Sequence, residues 1–196
     1  EGEYDLAGFA VGVVEKSQII DGSKVKPGDV VLGLASSGPH SNGFSLIRKI
    51  VEVSGASWDM PFDGATLADR LMEPTRIYCK QVANVMKKVP IHAMAHITGG
   101  GLVENVPRVL PEGTQVVIHR DSWKRPAIFD WLQKEGNVAE DEMLRVFNNG
   151  IGLVVIVPAE AADAAVSAFE SEGEKVYRLG EVVNRANAAD PGCVVI

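Results

Sequence analysis

Two hydrophobic patterns alternate along the chain. The continuous apolar run Val30–Ala35 is typical of a strand buried on both faces, and apolar residues then recur at helical spacing from Phe44 to a predicted end near Ser54. Further strands are predicted at 91–97, 115–118, 151–157 and 175–183, and further helices at 75–90, 102–109, 126–134, 140–147 and 159–172. The alternation predicts an α/β (α+β) fold in which a mixed β-sheet packs against helices.

Separate predictions concern the N-terminal and C-terminal ends of the chain. Residues 6–14 alternate small and apolar positions and include Gly8 and Gly12, a pattern typical of a strand that another backbone approaches closely. The sequence lacks an initiator methionine and opens almost directly into this run, so we expect an upstream part to be missing. The C-terminal end is predicted to be frayed. No linker divides the chain, so residues 1–196 are predicted to form a single domain.

Composition and charge exclude several classes of protein. With 46% hydrophobic and 23% charged residues, the composition is that of a globular protein, and the net charge of −7 argues against a nucleic-acid or anionic-membrane partner. No run approaches the roughly 20 apolar residues of a membrane helix, and the acidic start does not resemble a signal peptide. We therefore expect a cytoplasmic protein with Cys79 and Cys193 as reduced thiols, in which any anion is bound locally.

A serine-rich loop, called here the serine loop, joins the first predicted buried strand to the first predicted helix. It consists of Ser36, Ser37, Gly38, Pro39, His40, Ser41, Asn42 and Gly43. Unpaired N–H groups at a helix N-terminus bind anions, and the hydroxyls, the Asn42 amide and the imidazole add hydrogen-bonding groups. We expect His40 to act on a substrate and not on folding, because its neighbours in sequence offer no apolar partner. The alternative is a tight turn that merely caps the helix.

A second loop, the glycine loop, repeats this arrangement. It contains His96, Thr98, Gly99, Gly100 and Gly101, with Asn105 one turn into the helix predicted next. Three consecutive glycines carry a large ordering entropy, which indicates that a ligand or the backbone of another chain passes close to them. The alternative is a flexible hinge.

The remaining candidates are weaker. The segment 147–152 contains an Asn-Gly pair and is interpreted as a simple turn, although it could bring amide donors to the same end of the sheet. His92 and His119 lie beside apolar runs and are interpreted as packed or surface residues. No cluster has zinc-ligand spacing, so no metal site is predicted in the chain. Neither a Walker loop nor a Rossmann fingerprint is present.

Taken together, four segments resemble the phosphoribosylformylglycinamidine cyclo-ligase (aminoimidazole ribonucleotide synthetase) family in order and spacing. They are residues 5–15, 34–49, 95–108 and 147–152, which include the motifs SSGPHSNG and HITGGG. The resemblance spans nearly the whole chain and identifies it with the C-terminal domain of that family.

The resemblance implies an ATP-dependent ligase of purine biosynthesis, which closes formylglycinamidine ribonucleotide to aminoimidazole ribonucleotide and releases ADP and phosphate. It implies ATP and Mg²⁺ as cofactors, with ligands mainly in an N-terminal domain that this chain lacks and that forms a homodimer. The chain's own part would be to hold phosphate on the serine and glycine loops, with His40 as the catalytic residue that orients the substrate or shuttles a proton.

Two alternatives remain open at this point. One is a related ATP-dependent enzyme of the same superfamily, whose members make formylglycinamidine ribonucleotide, selenophosphate or thiamine diphosphate. The other is a non-catalytic module that binds a phosphate ligand or dimerises. If the chain is part of a cyclo-ligase, the expected partners are the small-molecule ribonucleotide and ATP.

Overall fold

A computed structural model describes residues 7–196 of the chain. Its strands are β1 Val30–Ala35, β2 Pro61–Phe62, β3 Ala65–Thr66, β4 Ala93–His96, β5 Thr114–Ile118, β6 Ile151–Val157, β7 Val176–Asn184 and β8 Cys193–Val195. Its α-helices are α1 Phe44–Ser54, α2 Leu67–Leu71, α3 Cys79–Val85, α4 Gly101–Asn105, α5 Ala127–Gly136, α6 Glu140–Val146 and α7 Ala162–Ser171. Short 3₁₀ turns lie at Lys16–Gln18, Val106–Val109, Arg120–Ser122 and Ala159–Ala161.

Six strands form one mixed sheet in the order β4-β6-β1-β7-β5-β8. Every neighbouring pair is antiparallel except β5 and β8, which are parallel. The strands β1 and β6 lie inside the sheet. All seven residues of β6 are buried, and β1 pairs with β6 on one side and with β7 on the other. Strands that are covered on both faces and both edges need apolar side chains throughout, which is the pattern the sequence has there.

Alternating residues of the sheet pack against different layers. Leu32 and Val155 face α3 and α7, where Phe169 is fully buried. Val31 and Val154 face the opposite layer, which contains α4 and the turn that follows it. A third apolar cluster joins α1, α2, α5 and α6 to one another. The period of two along β1 and β6 therefore assigns each side chain to one of the two sheet faces.

The predicted mixed sheet packed against helices is confirmed. The C-terminal end is not frayed: β8 adds to the edge of the sheet in parallel with β5. The helix predicted to be capped by Thr75 begins later, at Cys79, with Tyr78 as its N-cap. Thr75 instead contacts the Ser41 hydroxyl at 3.2 Å, and Ile77, assigned to the apolar face of that helix, is 75% exposed.

The strand predicted at 6–14 is wrong for the described residues, and Leu6 lies outside them. Residues 7–14 form neither helix nor strand, and Phe9, Val11 and Val13 are almost fully exposed. A strand needs a neighbour for its N–H and C=O groups, and none lies beside this segment within residues 7–196. The close backbone expected at Gly8 and Gly12 is also absent from the described structure, where no atom lies within 4 Å of a Cβ added at either position.

No α-helix among residues 7–196 combines the length and the apolar character that crossing a bilayer requires.

Gly180 offers a test of the sheet. A Cβ atom added there would lie 1.8 Å from the carbonyl oxygen of Val117 on β5. Gly180→Ala should therefore separate β7 from β5 and lower the free energy of unfolding by about 2 kcal/mol or more, as measured by urea denaturation. Gly12→Ala, at an open position, is the matched control and should stay within about 0.5 kcal/mol of the wild type. Equal stability of the two variants would contradict the packing described for Gly180.

Candidate functional site

Three loops meet at one end of the sheet because of how β6 pairs. This strand is antiparallel to both β1 and β4, so its first residues lie beside the last residues of those two strands. The serine loop follows β1, the glycine loop follows β4, and the segment 147–150 precedes β6. The topology thus brings together the two loops that were predicted to act together.

Asn148 joins the serine loop to the start of β6. Its side chain is fully buried, and its Oδ1 accepts hydrogen bonds from the Ser36 hydroxyl at 3.1 Å and from Gly150 N–H at 2.9 Å. Its Nδ2 donates to the Gly38 carbonyl at 2.9 Å. The segment does turn at Asn149 and Gly150, which both have positive φ. Asn148, however, holds another loop in place, a role that the interpretation as a simple turn missed.

A single hydrogen bond links the serine loop to the glycine loop. The Gly99 N–H donates to Oδ1 of Asn42 at 3.0 Å. Asn105, predicted to bind phosphate, is 3% exposed, and its Nδ2 donates to the carbonyls of Gly99 and Gly101 at 3.2 and 2.8 Å. The amide of Asn105 therefore closes the glycine loop on itself, and Thr98 joins it there through its hydroxyl, which donates to the Asn105 Oδ1 at 3.3 Å.

Different structural requirements apply to the individual glycines of the glycine loop. Gly101 adopts a φ of 57°, and a Cβ there would lie 1.8 Å from the Leu144 carbonyl oxygen in α6. The backbone that passes close to Gly101 belongs to this chain, whereas a ligand or the backbone of another chain was expected. Only Gly99 is open, with Asn42 Oδ1 at 4.0 Å from its added Cβ. The helix α4 that follows has five residues, and anion binding at its N-terminus stays a prediction.

The serine hydroxyls bond to the protein itself. Ser37 donates to the Pro74 carbonyl at 2.6 Å, and Ser41 contacts Thr75. Ser36 donates to Asn148, as described above. Backbone donors also remain at the end of the serine loop: within residues 7–196, the N–H groups of Gly43, Phe44 and Ser45 have no backbone hydrogen-bond acceptor. They form the first turn of the 11-residue helix α1, whose dipole favours an anion at this end.

His40 has a structural role that its sequence neighbours did not predict. The residue is 4% exposed, and its φ of 57° is unusual for a residue other than glycine. The Nε2 atom accepts hydrogen bonds from Ser37 N–H at 3.2 Å and from Arg76 N–H at 3.4 Å. The expectation that His40 would have no part in folding is therefore wrong. Its role as catalytic residue stays a prediction.

The environment keeps the His40 ring neutral. Burial, and to a smaller extent the charge of His96, lower the pKa of His40 to about 4. Because Nε2 accepts two hydrogen bonds, the single proton of the neutral ring lies on Nδ1. Nδ1 is buried and has no partner among the described residues. At neutral pH, His40 is thus a hydrogen-bond donor through Nδ1 and not a cation.

Two clefts flank the segment 73–78. One, of about 340 Å³, is lined by His40, Phe44 and Arg48 on one side and by Glu73 and Thr75 on the other. The second, of about 530 Å³, is largely apolar and contains His96, the exposed Cys79, Tyr78 and Met94. The rings of His40 and His96 are 6.4 Å apart, so the exposed His96 at the end of β4 lies close to the candidate site.

Gly152 allows these rings to lie against β6. A Cβ at this position would be 2.1 Å from the Tyr78 hydroxyl and 2.7 Å from Cε1 of His40. The Tyr78 hydroxyl donates to the Ala35 carbonyl at 2.8 Å, and burial raises the pKa of Tyr78. Tyr78 therefore packs as a neutral phenol beneath the serine loop. Sequence reasoning assigned it no role.

No group of three or more metal-binding side chains is found within residues 7–196. His92 packs against a buried carboxylate, with its Nδ1 2.6 Å from Oδ2 of Asp29. Of the two thiols, Cys193 is buried in the sheet, and burial raises its pKa to about 12.

Comparison with known proteins gives a family and a set of relatives. The family model described as AIR synthase related protein, C-terminal domain, matches residues 26–189. The chain is 56% identical over 195 residues to a phosphoribosylformylglycinamidine cyclo-ligase of Cupriavidus pinatubonensis, covering 100% of this chain and 56% of that protein. It is 57% identical over 182 residues to the protein of the same name from Nitrosospira multiformis, covering 93% and 52%. The chain spans about half the length of the curated relatives it matches.

Solved structures with the same fold are more distant in sequence. Thiamine-monophosphate kinase from Stenotrophomonas maltophilia matches with a TM-score of 0.64 at 16% identity, covering 93% of this chain and 54% of that one. Hydrogenase maturation protein HypE in complex with ATP matches with a TM-score of 0.60 at 23% identity, covering 89% and 49%. At these identities the likeness concerns the fold alone.

Asn148 provides a test of the junction between the loops. Asn148→Ala leaves the Gly38 carbonyl and the Gly150 N–H without partners, so the free energy of unfolding should fall by about 2–3 kcal/mol. Asn84→Ala, which removes one partly buried hydrogen bond to Glu172, should cost about 1 kcal/mol or less. Urea denaturation followed by circular dichroism measures both. A smaller loss for Asn148→Ala than for Asn84→Ala would contradict the proposed junction.

The lowered pKa of His40 predicts a pH dependence of stability. Between pH 6.5 and about 4 the unfolded chain binds a proton at this ring and the folded chain does not, so stability is lost as the pH falls through this range. His40→Asn removes the titration, and asparagine tolerates a positive φ. The difference in unfolding free energy between wild type and His40→Asn should therefore shift against the wild type below pH 6.5. A pH-independent difference would contradict the assignment.

Proposed function

The chain belongs to the AIR synthase related protein, C-terminal domain family, and we propose that it forms the C-terminal half of a phosphoribosylformylglycinamidine cyclo-ligase. The full protein would use ATP to close formylglycinamidine ribonucleotide to aminoimidazole ribonucleotide in cytoplasmic purine biosynthesis, releasing ADP and phosphate. The observation that carries this proposal is the 56% identity over 100% of the chain to relatives of that name. The second half of the enzyme would be an upstream domain that forms the homodimer.

The geometry supports phosphate binding at the N-terminus of α1. The free N–H groups of Gly43, Phe44 and Ser45 lie at the end of the serine loop, and Arg48, one turn further along, lines the adjoining cleft. The net charge of −7 repels anions at long range, so binding must come from such local donors. These observations support a phosphate site at the serine loop. The glycine loop contributes by holding Asn42 and by leaving Gly99 open.

His40 fits the role of orienting a substrate better than that of shuttling a proton. A ring whose pKa is about 4 is a poor proton acceptor at neutral pH, and its Nε2 is already occupied. Its buried Nδ1–H has no acceptor among the described residues, and an oxygen or nitrogen atom of the substrate would become that acceptor when the site opens. Positioning is what phosphoryl transfer and ring closure need most from the protein.

ATP and Mg²⁺ would be held mainly by the upstream domain. Magnesium is usually bound by one or two carboxylates together with water and phosphate oxygens, and residues 7–196 bring no three metal-binding side chains together that could hold it by themselves. The role of residues 7–196 would be confined to the proposed phosphate site at the N-terminus of α1 and to His40.

Activity tests this division of labour. The chain alone should not turn over formylglycinamidine ribonucleotide with ATP and Mg²⁺, and the separately expressed upstream half of a relative such as the Cupriavidus pinatubonensis protein should restore measurable ADP release. Robust ring closure by the chain alone would refute the proposal. Binding of the ribonucleotide without turnover under either condition would favour the alternative of a non-catalytic binding module.

Ser45 tests the phosphate site. Ser45→Asp places a negative charge beside the free N–H groups, where it suits the helix dipole but repels a phosphate. Binding of ribose 5-phosphate, followed by NMR or calorimetry, should weaken roughly tenfold or more, while thermal stability is kept. The neutral Ser45→Asn is the matched control and should bind like the wild type. Equal binding by both variants would place the phosphate elsewhere.

A further inference from the structure

The segment 74–78 carries the only contact that reaches His40 Nε2 from outside the serine loop within the described residues. Ser37 N–H, the other donor to this atom, belongs to the same turn as His40 and lies three residues before it. Arg76 N–H comes from a segment 36 residues further along the chain. The position of Arg76 therefore decides whether the second hydrogen bond forms.

The Arg76 side chain is anchored away from the site. Its Nε donates to Oε2 of Glu174 at 2.8 Å and its Nη2 to Oε1 at 3.2 Å. Nη2 also donates to the Gly173 carbonyl at 3.2 Å. The Glu174 side chain is fully buried, and a carboxylate without solvent requires such a partner to remain ionised. The two-pronged geometry fixes the direction of the guanidinium group and so limits how far the Arg76 backbone can move away from His40.

We propose that Arg76 and Glu174 are positioning residues that hold the Arg76 N–H against Nε2 of His40 and thereby keep the His40 proton on Nδ1. The functional importance of this tautomer rests on the function proposed above, since a fixed Nδ1–H matters only if His40 binds a substrate. A proton on Nε2 would face two N–H groups and lose both hydrogen bonds, so the donors select the Nδ1–H form.

The tautomer of His40 gives a direct test in the chain itself. In ¹⁵N-labelled protein, long-range ¹H–¹⁵N spectra distinguish a protonated ring nitrogen from an unprotonated one. At pH 7 the wild type should show Nδ1 protonated and Nε2 unprotonated. Glu174→Gln removes the carboxylate, and Arg76→Lys removes the two-pronged contact while keeping the charge. Both variants should show His40 signals shifted part of the way toward the Nε2–H form, because Ser37 N–H alone then favours the Nδ1–H form.

Glu140→Gln is the matched control. Glu140 accepts hydrogen bonds from Arg120 and Arg125 and has no contact with His40 among the described residues. This variant should keep the wild-type His40 signals. Ser37 remains in all variants, so any change reports on the Arg76 donor.

Three results would overturn the proposal: an Nε2-protonated ring in the wild type, unchanged His40 signals in both variants, or loss of folding in both, which would make the ion pair a requirement of the fold. Failure of the proposed function is separable from these. If His40→Gln in the full-length enzyme leaves kcat and KM unchanged, His40 has no part in turnover, whereas the tautomer measurement still stands by itself.

Discussion

The pairing of β6 with β1 and β4 in antiparallel orientation is the constraint on which the candidate site depends. It places the ends of two strands beside the start of a third, so that loops distant in sequence become neighbours. Asn148 then converts this proximity into a fixed arrangement, because its buried amide bonds to the serine loop and to the turn before β6 at once. When both the oxygen and the nitrogen of a buried amide are hydrogen-bonded, moving either neighbouring segment breaks a hydrogen bond in a site without water. The loops owe their shape to the sheet more than to their own sequence.

The sequence predicted the strands and helices whose hydrophobic period is regular. β1 and β6 are continuous apolar runs, and α1 has a clear helical period, so local pattern and tertiary environment agree there. The failures have physical causes. Residues 7–14 have the pattern of a strand, but a strand exists only where a neighbour accepts its hydrogen bonds. Thr75 resembles a helix cap, but its hydroxyl is engaged by Ser41, and the helix begins at Cys79.

The repeated pattern of strand, loop and helix predicted that the serine and glycine loops lie at the same end of the sheet, and the Asn42–Gly99 hydrogen bond joins them there. Their part in binding phosphate stays a prediction. Which polar groups remain available did not follow, because hydroxyls and amides in a loop satisfy one another before they meet a ligand. Arg76 and Glu174 gave no signal at all: they lie 98 residues apart, and charged residues in sequence normally indicate a solvated surface.

The two thiols differ in a way that makes the chain convenient for spectroscopy. Burial in the sheet keeps Cys193 protonated and out of reach, whereas Cys79 is exposed and lines the cleft that also contains His96. A thiol-specific fluorophore or spin label applied to the native protein would thus attach at one place without any cysteine being removed. That place is the wall of the cleft beside His40, so the label would sense whatever enters it.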